Sequence, residues 1–153
     1  VASIRKRYSR AQRRLRDRDQ PTHSPRAEVA LMLERMMAAI IAQDKDAVVA
    51  LMSQDVVALT DGGGVVSAAI RPVVDRHRIA QILLHLAKKD VVKESIEVSF
   101  VNVNWSSWLL LLDAGQFHSL TSVDVRAGLV NRIYIVRNPY KARALMTGDA
   151  ELL

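Results

Sequence analysis

The sequence predicts an α+β domain in which helices come first and a curved, largely antiparallel sheet follows. Two observations carry this. Apolar residues recur at helical spacing between Arg26 and Lys88, and almost everything after Lys93 alternates at the period of a strand. A third is the placing of turns: Asp113-Ala114-Gly115 and Ala127-Gly128 punctuate the alternating stretch where hairpins need them. With 50% of its 153 residues apolar and only 5% aromatic, the chain fills one ordinary core from Leu, Val, Ile, Met and Ala.

The elements follow in order. From Arg26 to Gln43, Val29, Met32, Leu33, Met36, Met37, Ile40 and Ile41 keep the i, i+3, i+4 pattern of an amphipathic helix. Ser24 is expected to cap it, with Pro25 in the first position, where a missing N–H costs nothing. Asp44 or Asp46 caps a shorter helix that runs through Met52, and a strand is expected at Val56–Thr60 before the turn Asp61-Gly62-Gly63-Gly64. A third helix is expected from about Asp75 to Lys88, with Ile79, Ile82, Leu83 and Leu86 inward. Ile96, Val98 and Phe100 alternate on one parity and Val101 and Val103 on the other, a phase change that predicts a β-bulge. Trp108 to Leu112 is apolar on both faces, as a central strand should be. Phe117 to Arg126 and Leu129 to Arg137 complete the meander, which Asn138-Pro139 stops.

Charge divides the chain. Residues 1–18 hold eight Lys/Arg and one acid, whereas 19–153 hold 14 bases and 15 acids, so the net +6 belongs to the head. Ile4, Tyr8, Ala11 and Leu15 form a narrow apolar stripe on what reads as a basic helix, suited to nucleic-acid phosphates or an acidic partner and too weak for membrane insertion. Residues 19–25, with Pro21 and Pro25, read as a linker, and 26–153 as the domain. Opening on Val1 in mid-helix suggests a piece of a longer protein. No apolar run approaches the roughly 20 residues that a membrane-spanning helix needs, and no basic-then-apolar leader is seen. The absence of cysteine excludes disulfide scaffolds, iron–sulfur clusters and thiol nucleophiles, and fits a reducing compartment.

Two short segments carry a resemblance. The body resembles the SnoaL-like domain of the nuclear-transport-factor-two-like superfamily, a cone made by three helices on a strongly curved mixed or antiparallel sheet. Asp61-Gly62-Gly63-Gly64 and Arg137-Asn138-Pro139-Tyr140-Lys141 resemble two signature segments of extracytoplasmic-function sigma factors that carry a carboxy-terminal SnoaL-like extension. Those typically read Asp-Gly-Gly-Gly-Lys and Asn-Pro-Asp-Lys-Leu; this chain departs at Val65, Tyr140 and Ala142. Residues 3–16 resemble the recognition helix that closes sigma region four.

The resemblance implies a regulatory domain that modulates promoter DNA and RNA polymerase engagement in transcription initiation, in the cytoplasm and without cofactor or metal. Arg5, Lys6, Arg7, Arg10, Arg13 and Arg14 would contact DNA. Asp61, Gly62, Gly63, Gly64, Asn138, Pro139 and Lys141 would make regulatory contacts with the sigma regions of the same polypeptide. Region two and the rest of region four would lie upstream of Val1.

The alternative is a stand-alone enzyme or small-molecule-binding protein of the isomerase or cyclase kind. Its pocket, suited to a small apolar ligand, would draw on Asn102, Trp105, Trp108, His118 and Asp124. Alternation puts His118 and Asp124 on one face but about 20 Å apart at roughly 3.3 Å per residue, too far for a direct acid–base pair. Asp113, Asn104 and Arg71 offer no better partner, and Asp113 is expected to be solvated beside its turn. His23, His77, His85 and His118 show no metal-ligand spacing, and no catalytic residue is assigned. A third use, a homodimer formed through the sheets, also fits the class.

Overall fold

The computed structural model describes residues 24–64, 69, 71–91, 93–149 and 151–152. The basic head, with all six of its candidate DNA-binding residues, and most of the linker lie outside the described residues. Helix α1 (Arg26–Ile41) buries Val29, Met32, Leu33, Met36 and Ala39 along the stripe that the periodicity predicts. Helix α2 (Lys45–Ala50) starts on Asp44, whose carboxylate accepts the Ala47 N–H at 3.0 Å. Helix α3 (Arg76–Val91) turns Ile79, Ala80 and Leu84 inward.

Among the described residues seven strands form one mixed sheet in the order β2-β1-β6-β5-β4-β3-β7. They are β1 (Met52–Asp61), β2 (Val73–Val74), β3 (Ile96–Val103), β4 (Ser106–Asp113), β5 (Gln116–Arg126), β6 (Leu129–Val136) and β7 (Glu151–Leu152). β1 runs parallel to β6 and every other pairing is antiparallel. Register shifts fall between Met52 and Val57, between Leu111 and Leu112, and between Asp124 and Val125. Each puts an extra length of chain on one strand and increases the local twist.

Both faces of the sheet are covered. The larger core joins α1, α2 and α3 to one face through Met52, Val56, Ala58, Leu109, Val123, Val130 and Ile133. On the other face Val101, Val103, Leu110 and Leu120 gather around Ala142 of a fourth helix, α4 (Pro139–Asp149). β4 therefore has Leu109 and Leu111 in one core and Leu110 and Leu112 in the other, as a central strand requires.

Several expectations need correction. Helices do not all precede the sheet, because β1 and β2 come before α3, and α4 lies between β6 and β7. Asn138-Pro139 ends β6, and it also opens α4: the Asn138 side-chain oxygen accepts the Tyr140 N–H at 3.1 Å, and proline follows at the first helical position. β1 starts at Met52, four residues before the expected Val56, so α2 ends at Ala50. β3 has no bulge. Its pairing with β4 is unbroken from Ile96↔Asp113 to Val103↔Ser106, and the change of parity reflects burial on both faces. Ser24 does not cap α1; Pro25 holds the cap position without a side-chain bond. The Ser24 hydroxyl instead donates to the Val125 carbonyl at 2.7 Å and accepts the Val125 N–H at 2.9 Å, which ties the start of the domain to β5.

A candidate regulatory junction between β1 and α4

Asp61 closes β1 beside the end of β6, and the ladder hands the chain directly to α4. Its backbone carbonyl accepts two N–H groups, from Arg137 at 2.7 Å and from Asn138 at 3.0 Å. Its side chain takes two more: Oδ1 accepts the Gly63 N–H at 2.9 Å, and Oδ2 receives the Lys141 ammonium. One residue thus holds the turn after β1, the strand-to-helix corner and the first turn of α4. A cation in the first turn of a helix opposes the helix dipole, and the Asp61 carboxylate beside it offsets that repulsion. The Lys141 hydrogen bond holds the Asp61 carboxyl below the usual carboxylate range, with burial opposing and the Gly63 N–H assisting.

Glycine is required at one place in this junction. Gly63 has φ +60°, and a Cβ there would collide with the Asn138 side-chain amide, which lies directly over it. Asn138 is 8% exposed and also accepts the Ala142 N–H through its carbonyl at 3.0 Å. Gly62 is buried, whereas Gly64, at φ +72°, faces open space. The seven residues expected to act in regulatory contacts therefore form one local structure, although 73 or more positions separate the two segments in sequence.

Beside the junction lies an open cleft of about 430 Å³ between the β4–β5 turn and the start of α4, lined in part by Asp113, Phe117, His118, Arg137 and Pro139. Asp113 is not simply solvated. Ser95 Oγ donates to it at 2.6 Å and Lys93 Nζ at 2.9 Å, and these two hold its carboxyl low. His118 Nε2 sits 3.4 Å from Asp90 Oδ2 on α3. Lys93, Ser95 and Asp90 were not singled out by their sequence; each is an ordinary polar residue in a loop or at a helix end, with no spacing that relates it to Asp113 or His118.

The candidate pocket residues do not assemble. Asn102 is buried, and among the described residues neither of its side-chain polar atoms has a hydrogen-bond partner. Trp105 stands at the tip of the β3–β4 hairpin, and Trp108 packs in the core under α4. Asp124 accepts the Tyr134 hydroxyl at 2.7 Å; burial, then this carboxylate, raises the phenol. His118 and Asp124 do not share a face as alternation implies. The register shift opposite Leu111 and Leu112 leaves His118 as the unpaired residue between Phe117 and Ser119, turned toward Asp90. Among the described residues no group of three or more His, Cys, Asp or Glu is placed to hold a metal.

No protein-family profile and no curated protein matches the chain. Solved structures do. The extracytoplasmic function sigma factor SigJ of Mycobacterium tuberculosis superposes with a TM-score of 0.62 at 24% identity, over 97% of this chain and 51% of its own. A de novo designed protein of NTF2 fold, NT-9, gives 0.52 at 19% identity, covering 82% of this chain and 96% of that one. An NTF-2 like protein of unknown function from Burkholderia xenovorans LB400 gives 0.50 at 13% identity, over 74% and 85% respectively. The chain thus spans about half the length of the sigma factor. At these identities the similarity is one of architecture, and the domain has an NTF2-like α+β fold.

Proposed function

We propose that this chain is the regulatory carboxy-terminal part of an extracytoplasmic-function sigma factor, and that its β1–α4 junction is the surface by which it acts. The observation that carries this reading is the joining of Asp61-Gly62-Gly63-Gly64 to Asn138-Pro139-Tyr140-Lys141 through Asp61. Two segments that resemble sigma-factor signatures at opposite ends of the domain have converged on one exposed corner, with charged and glycine groups presented together. The fold similarity to a sigma factor over nearly the whole chain supports the same reading. The partners are sigma regions of the same polypeptide, and through them core polymerase and promoter DNA. The domain works by setting how those regions are disposed, with no chemical step of its own.

Run-off transcription by core polymerase, with the product of the whole reading frame, tests this. Lys141→Ala should change transcript yield several-fold, and His118→Ala and Asp124→Asn should leave it near the parent level. The reading fails if Lys141→Ala is silent in a folded protein, or if His118→Ala and Asp124→Asn abolish turnover of a small molecule.

A further inference from the structure

Helix α3 is apolar on two sides. Ile79, Ala80 and Leu84 are buried in the larger core. Ile82 and Leu86, which the helical pattern places inward, are instead 39% and 38% exposed, because the buried side of the helix is centred on Ile79, Ala80 and Leu84. They stand one turn apart and, with Arg78, Gln81 and His85, line an open groove of about 380 Å³ on the outward side. Side chains at i and i+4 are neighbours on a helix surface, so these two form a contiguous patch rather than the scattered single residues that a surface ordinarily carries.

The charge around this patch has one sign. α3 carries Arg76, Arg78, Lys88 and Lys89, and Asp90 is its one acid. That acid is turned toward Lys93 and His118. Asp75, just before the helix, is taken up in accepting the His77 N–H at 2.9 Å. Among the described residues none of the four bases has an ion-pair partner, whereas Lys93 and Lys141 each have one. Arg76 and Arg78 also lie in the first turn, where the helix dipole disfavours a cation and no acid offsets it. Residues 19–153 hold 14 bases and 15 acids, so this is a local concentration and not a general basicity of the domain.

We propose that the outward face of α3 is the docking site of an acidic amphipathic helix carried by a separate protein. Apolar side chains one turn apart on that helix enter the groove over Ile82 and Leu86. Carboxylates beside them pair with Arg78 and Lys89, which bracket the groove roughly 16 Å apart at about 1.5 Å per residue. The other occupants fit less well. A second copy would set the same bases against one another, and residues 1–18, with eight bases and one acid, carry the wrong charge. Phosphates would use the bases but not the apolar floor. α3 packs on the sheet face opposite α4, so this site and the β1–α4 corner can be engaged together. That last consequence rests on the sigma-factor reading; the docking does not.

Fluorescence anisotropy with the 153-residue protein reads the contact. The probe is a labelled helical peptide with leucines one turn apart along one face and glutamates on both flanks, and a scrambled peptide of the same composition is the control. The parent should bind the amphipathic peptide roughly tenfold or more tighter than the scrambled one, the scale of one or two anchor side chains. Ile82→Ser with Leu86→Ser, and separately Arg78→Glu with Lys89→Glu, should each weaken binding by roughly tenfold, and the peptide should shift the α3 amide resonances of the parent. All four positions are exposed, so circular dichroism should report an unchanged fold. Equal binding of the two peptides, or undiminished binding by either variant, overturns the proposal, because acid is then drawn by charge alone and away from this face. A duplex oligonucleotide that shifts the same amides where the peptide does not makes the face a nucleic-acid surface and also overturns it. So does a dimer that forms with rising concentration and is dissolved by Ile82→Ser with Leu86→Ser, because the groove is then filled by a second copy.

Discussion

The two faces of the sheet are held by different means. On the first, α1, α2 and α3 cover a contiguous apolar surface, and Val48, Met52, Ala80, Val130 and Ile133 have no measurable exposure. On the second, one helix covers a small cluster. Its described inward residue is only an alanine, Ala142, and the Asp61 hub fixes its start. Hydrophobic burial scales with area, so among the described residues the first face contributes more to stability, and the start of the helix on the second is fixed by polar geometry at one corner. A corner held this way can be changed without unfolding what lies behind it. That is the property a regulatory contact needs.

Substitutions should separate the faces. Ile133→Ala, in the large core, is expected to cost about 3 kcal/mol and lower the urea midpoint of the whole domain. Leu120→Ala, equally buried but beneath α4, is expected to cost about 2 kcal/mol, with amide exchange in α4 accelerating more than in α1. Equal acceleration in both helices would mean that the faces are one cooperative unit. Gly63→Ala should cost about 1–3 kcal/mol through its left-handed backbone and the Asn138 collision, again felt first in α4. Ser24→Ala, at the opposite end, should cost about 1 kcal/mol and leave α4 exchange unchanged.

The smallest effect is one of pH. Asp61 has a carboxyl held low in the folded state, so the unfolded chain binds the proton more readily. The contribution of the junction is then complete above the ordinary carboxylate range and is lost as pH falls through the depressed value. Protection of the first α4 amides should follow that course in the parent, and Asp61→Asn should abolish the dependence.

What was legible in the sequence follows the same division. The helices under the large face have one buried stripe each, so Val29, Met32, Leu33 and Met36 announce α1 by spacing alone. The β4 strand was legible because a run apolar on both parities has few other uses. α4 was missed although its signals were present: Asn138 caps and Pro139 begins it, but Asn-Pro after a strand also reads as a stop. The junction was visible only as two resembling segments, since no local pattern relates Asp61 to Lys141. The pocket set failed for a geometric reason. Strict alternation assigns faces along a strand, and the register shift at His118 breaks it without leaving a glycine or proline to mark the place.

The measurement that bears most directly on the account is a charge exchange across the junction, read by run-off transcription with the product of the whole reading frame. Asp61→Lys and Lys141→Asp should each shift transcript yield several-fold in the same direction, and the double exchange should return it toward the parent. Parent-level transcription from both single variants, with the fold intact, would contradict a regulatory role for the β1–α4 corner.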